Sequence, residues 1–385
     1  MTSPEVDRVW QFQRDLFYSF IQHAKHTIAC PWTLLPLLVV LGLLSAYMSH
    51  PVTGEPFATG LNQPRGMAFD ANGNLFVADA GALDTQPASG LPIITNWSGR
   101  VVRITPNREV TTVADRLPFT HDNATGIDVG PTDVAVLSGT LYVLTGEGYD
   151  SLSRSVLRVP LGGPPQPVAN LLNFAMAKSL LGHMIGTNAV PANPYAMVAA
   201  TNGSAFYVSD GASGRVMRVT LDGSMSLFAE VPKMSPLTGL VFGPDGKLYF
   251  ADFTTQPHTP GGGKIWVADL SGKLAVAVTG LTMPIDVGFD ATGMMYVLEF
   301  SDGRQPKQPY APGVGRLLRI EPDGRRTVVL EGLNYPTAMV FSQVGDLYIA
   351  VNGAFTAPRQ GAILKVPCSV LGPAQSCPGV SKSAS

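Results

Sequence analysis

Charge is scarce in this chain of 385 residues: Asp, Glu, Lys and Arg make up only 14%, and the two signs almost cancel to a net −2. No basic block and no acidic tail interrupts it, so nothing electrostatic points to nucleic acid. A strictly acidic or basic substrate is not implied either. Cysteine is scarcer still, at three residues. Cys30 borders an apolar run, Cys368 and Cys377 lie near the C-terminus, and no CxxC or Cys/His zinc spacing occurs, which removes cysteine-based metal chemistry. In an oxidising compartment Cys368 and Cys377 can bridge across Ser369–Ser376; two unpaired thiols in a tail is the alternative. A GxSxG elbow, an HExxH helix and a phosphate loop are also missing.

What the chain has in abundance is turn residues, 41 Gly and 32 Pro, and they punctuate a repeat. Gly66-Met-Ala-Phe-Asp-Ala-Asn-Gly-Asn-Leu-Phe-Val-Ala-Asp79 returns as Gly239–Asp252 and Asp286–Glu299, with looser copies from Asp133, Ala196 and Ala338. Each copy reads as a short apolar strand, a tight Gly turn and a strand of aromatic and β-branched residues. Several strands in a period of roughly 40–65 residues are the mark of a β-propeller. In the first repeat the four strands, A to D from the axis outward, are expected at Gly66–Phe69, Leu75–Ala78, Arg100–Ile104 and Glu109–Ala114. The sixth repeat stops after its C strand, Ala362–Val366. Its missing D strand is available at the other end, because Glu55-Pro-Phe-Ala-Thr-Gly-Leu61 matches Val276–Leu281 and Val328–Leu333. The expected fold is all-β: a six-bladed propeller over residues 52–367, closed by an N-terminal strand that removes the open edge.

Ahead of the propeller, residues 28–48 carry no charge and suffice for a transmembrane helix. Arg8, Arg14 and Lys25 precede the run, which places 1–27 in the cytoplasm and the propeller outside it. The membrane is thus an expected partner. An uncleaved signal anchor is one reading; a long signal peptide cut near Ala46, releasing a secreted propeller, is the other. Residues 368–385 are expected to form a flexible tail.

Turn lengths assign the faces. The A–B and C–D turns are short, whereas the B–C loops (Gly81–Gly99, Phe253–Gly263, Ser301–Gly313, Asn352–Gly361) and the D–A connections (Pro118–Pro131, Leu171–Asn193) are long and emerge on one face. Function is expected on that looped face. The starts of the A strands form a column around the axis: Gly66, Asp133, Ala196, Gly239, Asp286, Ala338. Asp133 and Asp286 stand three blades apart. With Asn193 or Asn188 as a further oxygen they are candidate ligands for Ca²⁺ or another divalent cation; otherwise each binds backbone N–H groups and holds its blade in register. A second acid column ends the B strands, Asp79, Asp210, Asp252 and Glu299, where capping of loop amides is expected. His121, His183 and His258 fall in looped-face segments and Arg65 opens the first A strand, so His121, His183 and Arg65 are the candidates for acid–base or oxyanion chemistry. The apolar stretch Leu171–Ile185 is expected to form a short helix over the channel.

The repeated phrase resembles the NHL and gluconolactonase-like six-bladed propellers. More closely, the set Gly60-Leu-Asn-Gln-Pro-Arg-Gly66, Gly130-Pro-Thr-Asp-Val-Ala135, Asn193-Pro-Tyr195, Val208-Ser-Asp-Gly211, Gly243-Pro-Asp-Gly-Lys-Leu-Tyr249 and Tyr296-Val-Leu-Glu299 resembles the ScyD/ScyE family. That resemblance implies an exported six-bladed propeller. The wider group implies a divalent ion in the channel, with Asp133 and Asp286 at matching Pro-x-Asp positions; Gly66 stands where blade one would carry an acid. The expected function is a membrane-anchored extracytoplasmic module that binds a protein, glycan or small molecule through its looped face. A metal-dependent lactonase or related hydrolase is the alternative. A quinone-cofactor dehydrogenase would need His and Arg side chains gathered at one pocket, which the dispersed histidines do not provide.

Overall fold

A computed structural model describes residues 54–83, 92–123, 125–160, 162–178, 184–185, 188–189, 192–305, 307–372 and 377. The chain divides into Met1–Pro51 and Val52–Ser385, and every described residue belongs to the second unit. The run at 28–48, residues 1–27, His183, and residues 373–376 and 378–385 of the expected tail lie outside the described residues. Among those described, no helix is long and apolar enough to cross a membrane.

Six antiparallel sheets of four or more strands follow one another along the chain, each in A–B–C–D order. Their A strands are Pro64–Phe69, Pro131–Leu137, Pro194–Ala199, Leu237–Phe242, Pro284–Phe289 and Ala338–Phe341. The sixth sheet is completed by Glu55–Leu61, which pairs antiparallel with Gly361–Val366 from Glu55↔Lys365 to Leu61↔Gly361. The ring is therefore closed by the N-terminal strand, as the matching sequence requires.

The B strands explain the weak alternation in the sequence. Ala205–Asp210 and Leu347–Val351 are buried at every position, because each blade packs a neighbour on both faces and both residue sets must be apolar. The core is accordingly a series of clusters between blades, such as Leu75, Val77, Ile104 and Ile363 at the closure. The tight turns follow from their chemistry. Asp70 accepts from Asn72 N–H at 2.9 Å and Asn74 N–H at 2.8 Å, and Gly73 takes φ +77°, a left-handed conformation that glycine adopts without a Cβ clash.

Two segments differ from expectation. Blade one has five strands: its C strand runs Ile93–Ile104, its D strand Val110–Asp122, and Ile127–Val129 adds a fifth. The expected D–A loop around His121 is thus largely sheet, since its β-branched and aromatic residues pair instead of remaining irregular. The stretch after Asn170 forms a helix only over Leu171–Ala177, started by Asn170, whose side chain accepts from Asn173 N–H; Met184–Ile185 then pairs with Asn188–Ala189. At the C-terminus Cys368 and Cys377 are bridged, and a short helix, Cys368–Leu371, accepts hydrogen bonds at Leu371 O from Tyr296 and Arg319.

Candidate functional site

The central strands enclose a channel of about 820 Å³ whose wall includes Arg65, Asp128, Asp133, Asn193, Tyr195 and Asp286. An A strand is the inner edge of its blade, so its outward N–H and C=O groups face the axis without a ladder partner and need one. The two aspartates answer that need. Asp133 accepts from Val134 N–H at 2.8 Å and, across the blade boundary, from Met197 N–H at 2.6 Å. Asp286 repeats the arrangement with Val287 and Met339, both at 2.8 Å. A Cβ on Gly66 would lie 1.8 Å from Asp133 Oδ1, and one on Gly239 would lie 1.9 Å from Asp286 Oδ1. The preceding blade must therefore supply glycine. The column Gly–Asp–Ala, Gly–Asp–Ala is a two-fold pattern of inter-blade latches, and its order was visible in the sequence as a three-blade period. Hydroxyls latch other boundaries: Ser209 donates to Thr238 O at 2.6 Å, Thr238 to Pro284 O at 3.1 Å, and Thr337 to Pro64 O at 2.7 Å.

Burial pushes the Asp133 carboxyl up to about 8, with the charge of Asp286 adding to the effect and the two N–H donors opposing it. Burial likewise pushes Asp286 up to about 7. As a divalent-cation site the pair does not fit. Each of its four oxygens already accepts a backbone N–H, and no group of three or more His, Cys, Asp or Glu gathers among the described residues. A hard cation needs about six to eight convergent oxygens.

The second acid column is structural, as expected. Asp79 accepts from Asn62 N–H at 2.5 Å and pairs with Arg100 at 2.8 Å; Glu299 accepts from Thr282 N–H at 2.5 Å and pairs with Arg316 at 2.5 Å. Asp210 and Asp252 hold Ser213 and Ser235.

Of the candidates read from the sequence, Arg65 and His121 do come together, around a residue that pattern alone did not reveal. Asp128, in the fifth strand of blade one, accepts from Gln63 Nε2 through one carboxylate oxygen and meets His121 Nδ1 at 2.6 Å through the other. Arg65 donates to Asp128 O at 2.7 Å. Tyr195 adds its ring and donates to Thr337 O at 3.2 Å. The only signal for Asp128 was its position in a segment expected to be an irregular loop. His121 is not on the channel wall; it stands against Asp128 and positions it. His258 belongs elsewhere, between Thr254 at 3.2 Å and Tyr310 at 2.5 Å, in an aromatic cluster that ties three B–C loops together.

Arg65 and Arg103 both have a buried Nε–H without a hydrogen-bond partner, and of the two Arg65 is on the channel wall. Arg100, Arg154, Arg215 and Arg316 each reach a carboxylate, whereas no described acid forms an ion pair with Arg65, and its buried Nε–H has no hydrogen-bond partner. Burial pulls its pKa below the ordinary value, with Tyr195 and Asp128 opposing; an arginine nevertheless stays protonated. Burial raises the Tyr195 phenol well above its ordinary range, so it is neutral.

No protein-family model matches the chain, and no curated protein matches it. Solved structures do. A candidate oxidoreductase (glucose dehydrogenase) from Thermus thermophilus is similar at TM-score 0.51 and 15% identity, over 81% of this chain and 98% of that one. A structural-genomics protein of unknown function from Bacteroides thetaiotaomicron gives TM-score 0.51 at 13% identity, over 80% and 70%. XC5397 from Xanthomonas campestris, a gluconolactonase, gives 0.49 at 16%, over 81% and 88%. Identities this low speak to architecture alone, and the architecture is a six-bladed β-propeller.

Proposed function

We propose that this propeller is a binding module whose looped channel mouth takes a small molecule bearing a carboxylate, with Arg65 as anchor. One observation carries the reading: Arg65 is a desolvated guanidinium on the channel wall with an unpartnered Nε–H and no ion pair among the described residues. Burying a charge is costly; Tyr195 and Asp128 offset that cost only in part, and an incoming carboxylate relieves the rest with two parallel N–H···O bonds that match the planar fork. Below pH about 7 Asp133 and Asp286 do not neutralise it, since burial holds both toward the uncharged carboxyl. Asp128, fixed by Gln63 and His121, leaves the mouth with an acceptor for a ligand hydroxyl or amide.

Purified full-length protein is expected to bind butyrate in calorimetry, and Arg65→Ala to weaken binding by about ten- to a hundredfold, the range of a charge-assisted pair. Arg65→Lys keeps the charge but not the fork and should recover only part. Equal butyrate affinity in wild type and Arg65→Ala would end this reading.

The tether belongs to the same proposal: residues 28–48 anchor the module in a membrane and display it outside the cytoplasm, in keeping with the ScyD/ScyE-like motif set. The chain should then stay with membranes through alkaline carbonate extraction. Recovery in the supernatant would argue against an anchor and for a cleaved signal.

A further inference from the structure

We infer that the ligand is amphipathic, a carboxylate head at Arg65 continued by an apolar body lying along the channel axis. The inference rests on the carboxylate site proposed above and extends it to a ligand class. The channel volume of about 820 Å³ lies in the range that encloses drug-sized molecules and far exceeds a head group. Its wall is continuous from Arg65, near the start of blade one's central strand, to Ala71 beyond that strand's end. At about 3.3 Å per residue this is a passage of roughly 20 Å.

The wall changes character along that length. Charged and polar side chains stand at the mouth. One residue past the Asp133 and Asp286 level, the wall carries Met67, Met197 and Met339; two residues deeper it carries Phe69, Phe289 and Phe341. The aspartates between mouth and interior turn both carboxylate oxygens to backbone N–H groups, so an apolar chain that displaces water beside them leaves no oxygen without a hydrogen bond. The methionine side chains are buried in the clusters between blades, so the apolar contact comes from the partly exposed Phe69, Phe289 and Phe341. A site with a guanidinium that forms no ion pair among the described residues at its entrance, and apolar side chains below, matches a molecule charged at one end only.

The test compares butyrate, decanoate and decanol on full-length protein by calorimetry. Each further methylene taken from water is worth roughly fourfold in affinity, so decanoate is expected to bind at least about a hundredfold tighter than butyrate, and decanol at least about tenfold weaker than decanoate. Ala68→Leu and Ala199→Leu, both on the channel wall, should lower decanoate affinity at least about tenfold and leave butyrate unchanged, with circular dichroism and the melting midpoint confirming a folded ring. If butyrate binds through Arg65 but decanoate binds no tighter, or both plug variants leave decanoate untouched, the amphipathic class is wrong while the carboxylate site stands. If neither acid binds, both are overturned.

Discussion

A chain that begins after Leu61 is expected to lose at least about 5 kcal/mol of stability, or to be recovered only as oligomers, whereas removal of residues 1–51 alone should leave the unfolding midpoint unchanged. The strand Glu55–Leu61 has two roles. It buries Phe57 and Leu61, which are 8% and 1% exposed, and each such side chain contributes about 1.5–3 kcal/mol. Phe57 also meets Tyr348 edge-on at 4.9 Å. Its second role is to cover the edge of Gly361–Val366, which would otherwise offer a row of unpaired N–H and C=O groups to any other chain. The junction is tight: a Cβ on Gly361 would lie 2.3 Å from Pro64 and 2.8 Å from Leu61 O. Denaturant unfolding together with size-exclusion chromatography checks both roles. A truncated protein that stays monomeric with an unchanged midpoint would show that the ring does not depend on its closure. Phe57→Ala should fall between the two shortened chains in stability, at a cost of about 3 kcal/mol.

The closure was readable from sequence because it depends on local pattern: three D-like segments, each ending in Gly-Leu and leading to the next central strand, one of them at the wrong end of the chain. The turns were readable for the same reason, since Asp-x-x-Gly encodes its own hydrogen bonds. The channel was only half legible. Residue types marked Asp133 and Asp286, yet whether they hold an ion or the ring depends on where Met197 N–H and Met339 N–H point, and neither neighbour is close in sequence. Arg65 stands out in the sequence as the opening residue of the first central strand and a candidate for oxyanion chemistry, but its lack of an ion pair is a property of packing. Asp128 was missed because blade one extends its outer strands beyond the repeat length, a departure no repeat alignment anticipates. His121 and His258 looked equivalent as looped-face histidines. Tertiary contacts separate them, one behind a channel carboxylate and the other within an aromatic staple.

Stability should fall as pH rises from about 4 to about 8, and Asp133→Asn should flatten that fall. In the folded ring Asp133 titrates at about 8 and Asp286 at about 7, while in the unfolded chain an aspartate titrates near ~3.9. Below that lower value both states hold the proton and the groups make no difference. Above it the unfolded chain releases protons that the folded ring retains, so the unfolded state binds fewer and the slope of stability with pH is negative, by up to about 1.4 kcal/mol per unit for each group. The loss ends when the folded carboxyls ionise as well. Asp79, Asp210 and Glu299 are also raised by burial, but they are shared by wild type and variant and cancel in the comparison. Asp133→Asn turns an amide N–H₂ toward one of the two donors the carboxyl accepts, at a cost of about 1–3 kcal/mol. The variant is therefore less stable than wild type at pH near 4, and its deficit should shrink or reverse toward pH 8 as wild type bears the desolvation of Asp133. Urea midpoints across that pH range check the result; parallel curves would mean that Asp133 is ionised in the folded ring throughout. The same titration bears on the mouth, because both aspartates share the channel wall with Arg65. As they become anionic, near pH about 7 to 8, they compensate its charge, and carboxylate affinity should decline there in wild type and less in Asp133→Asn.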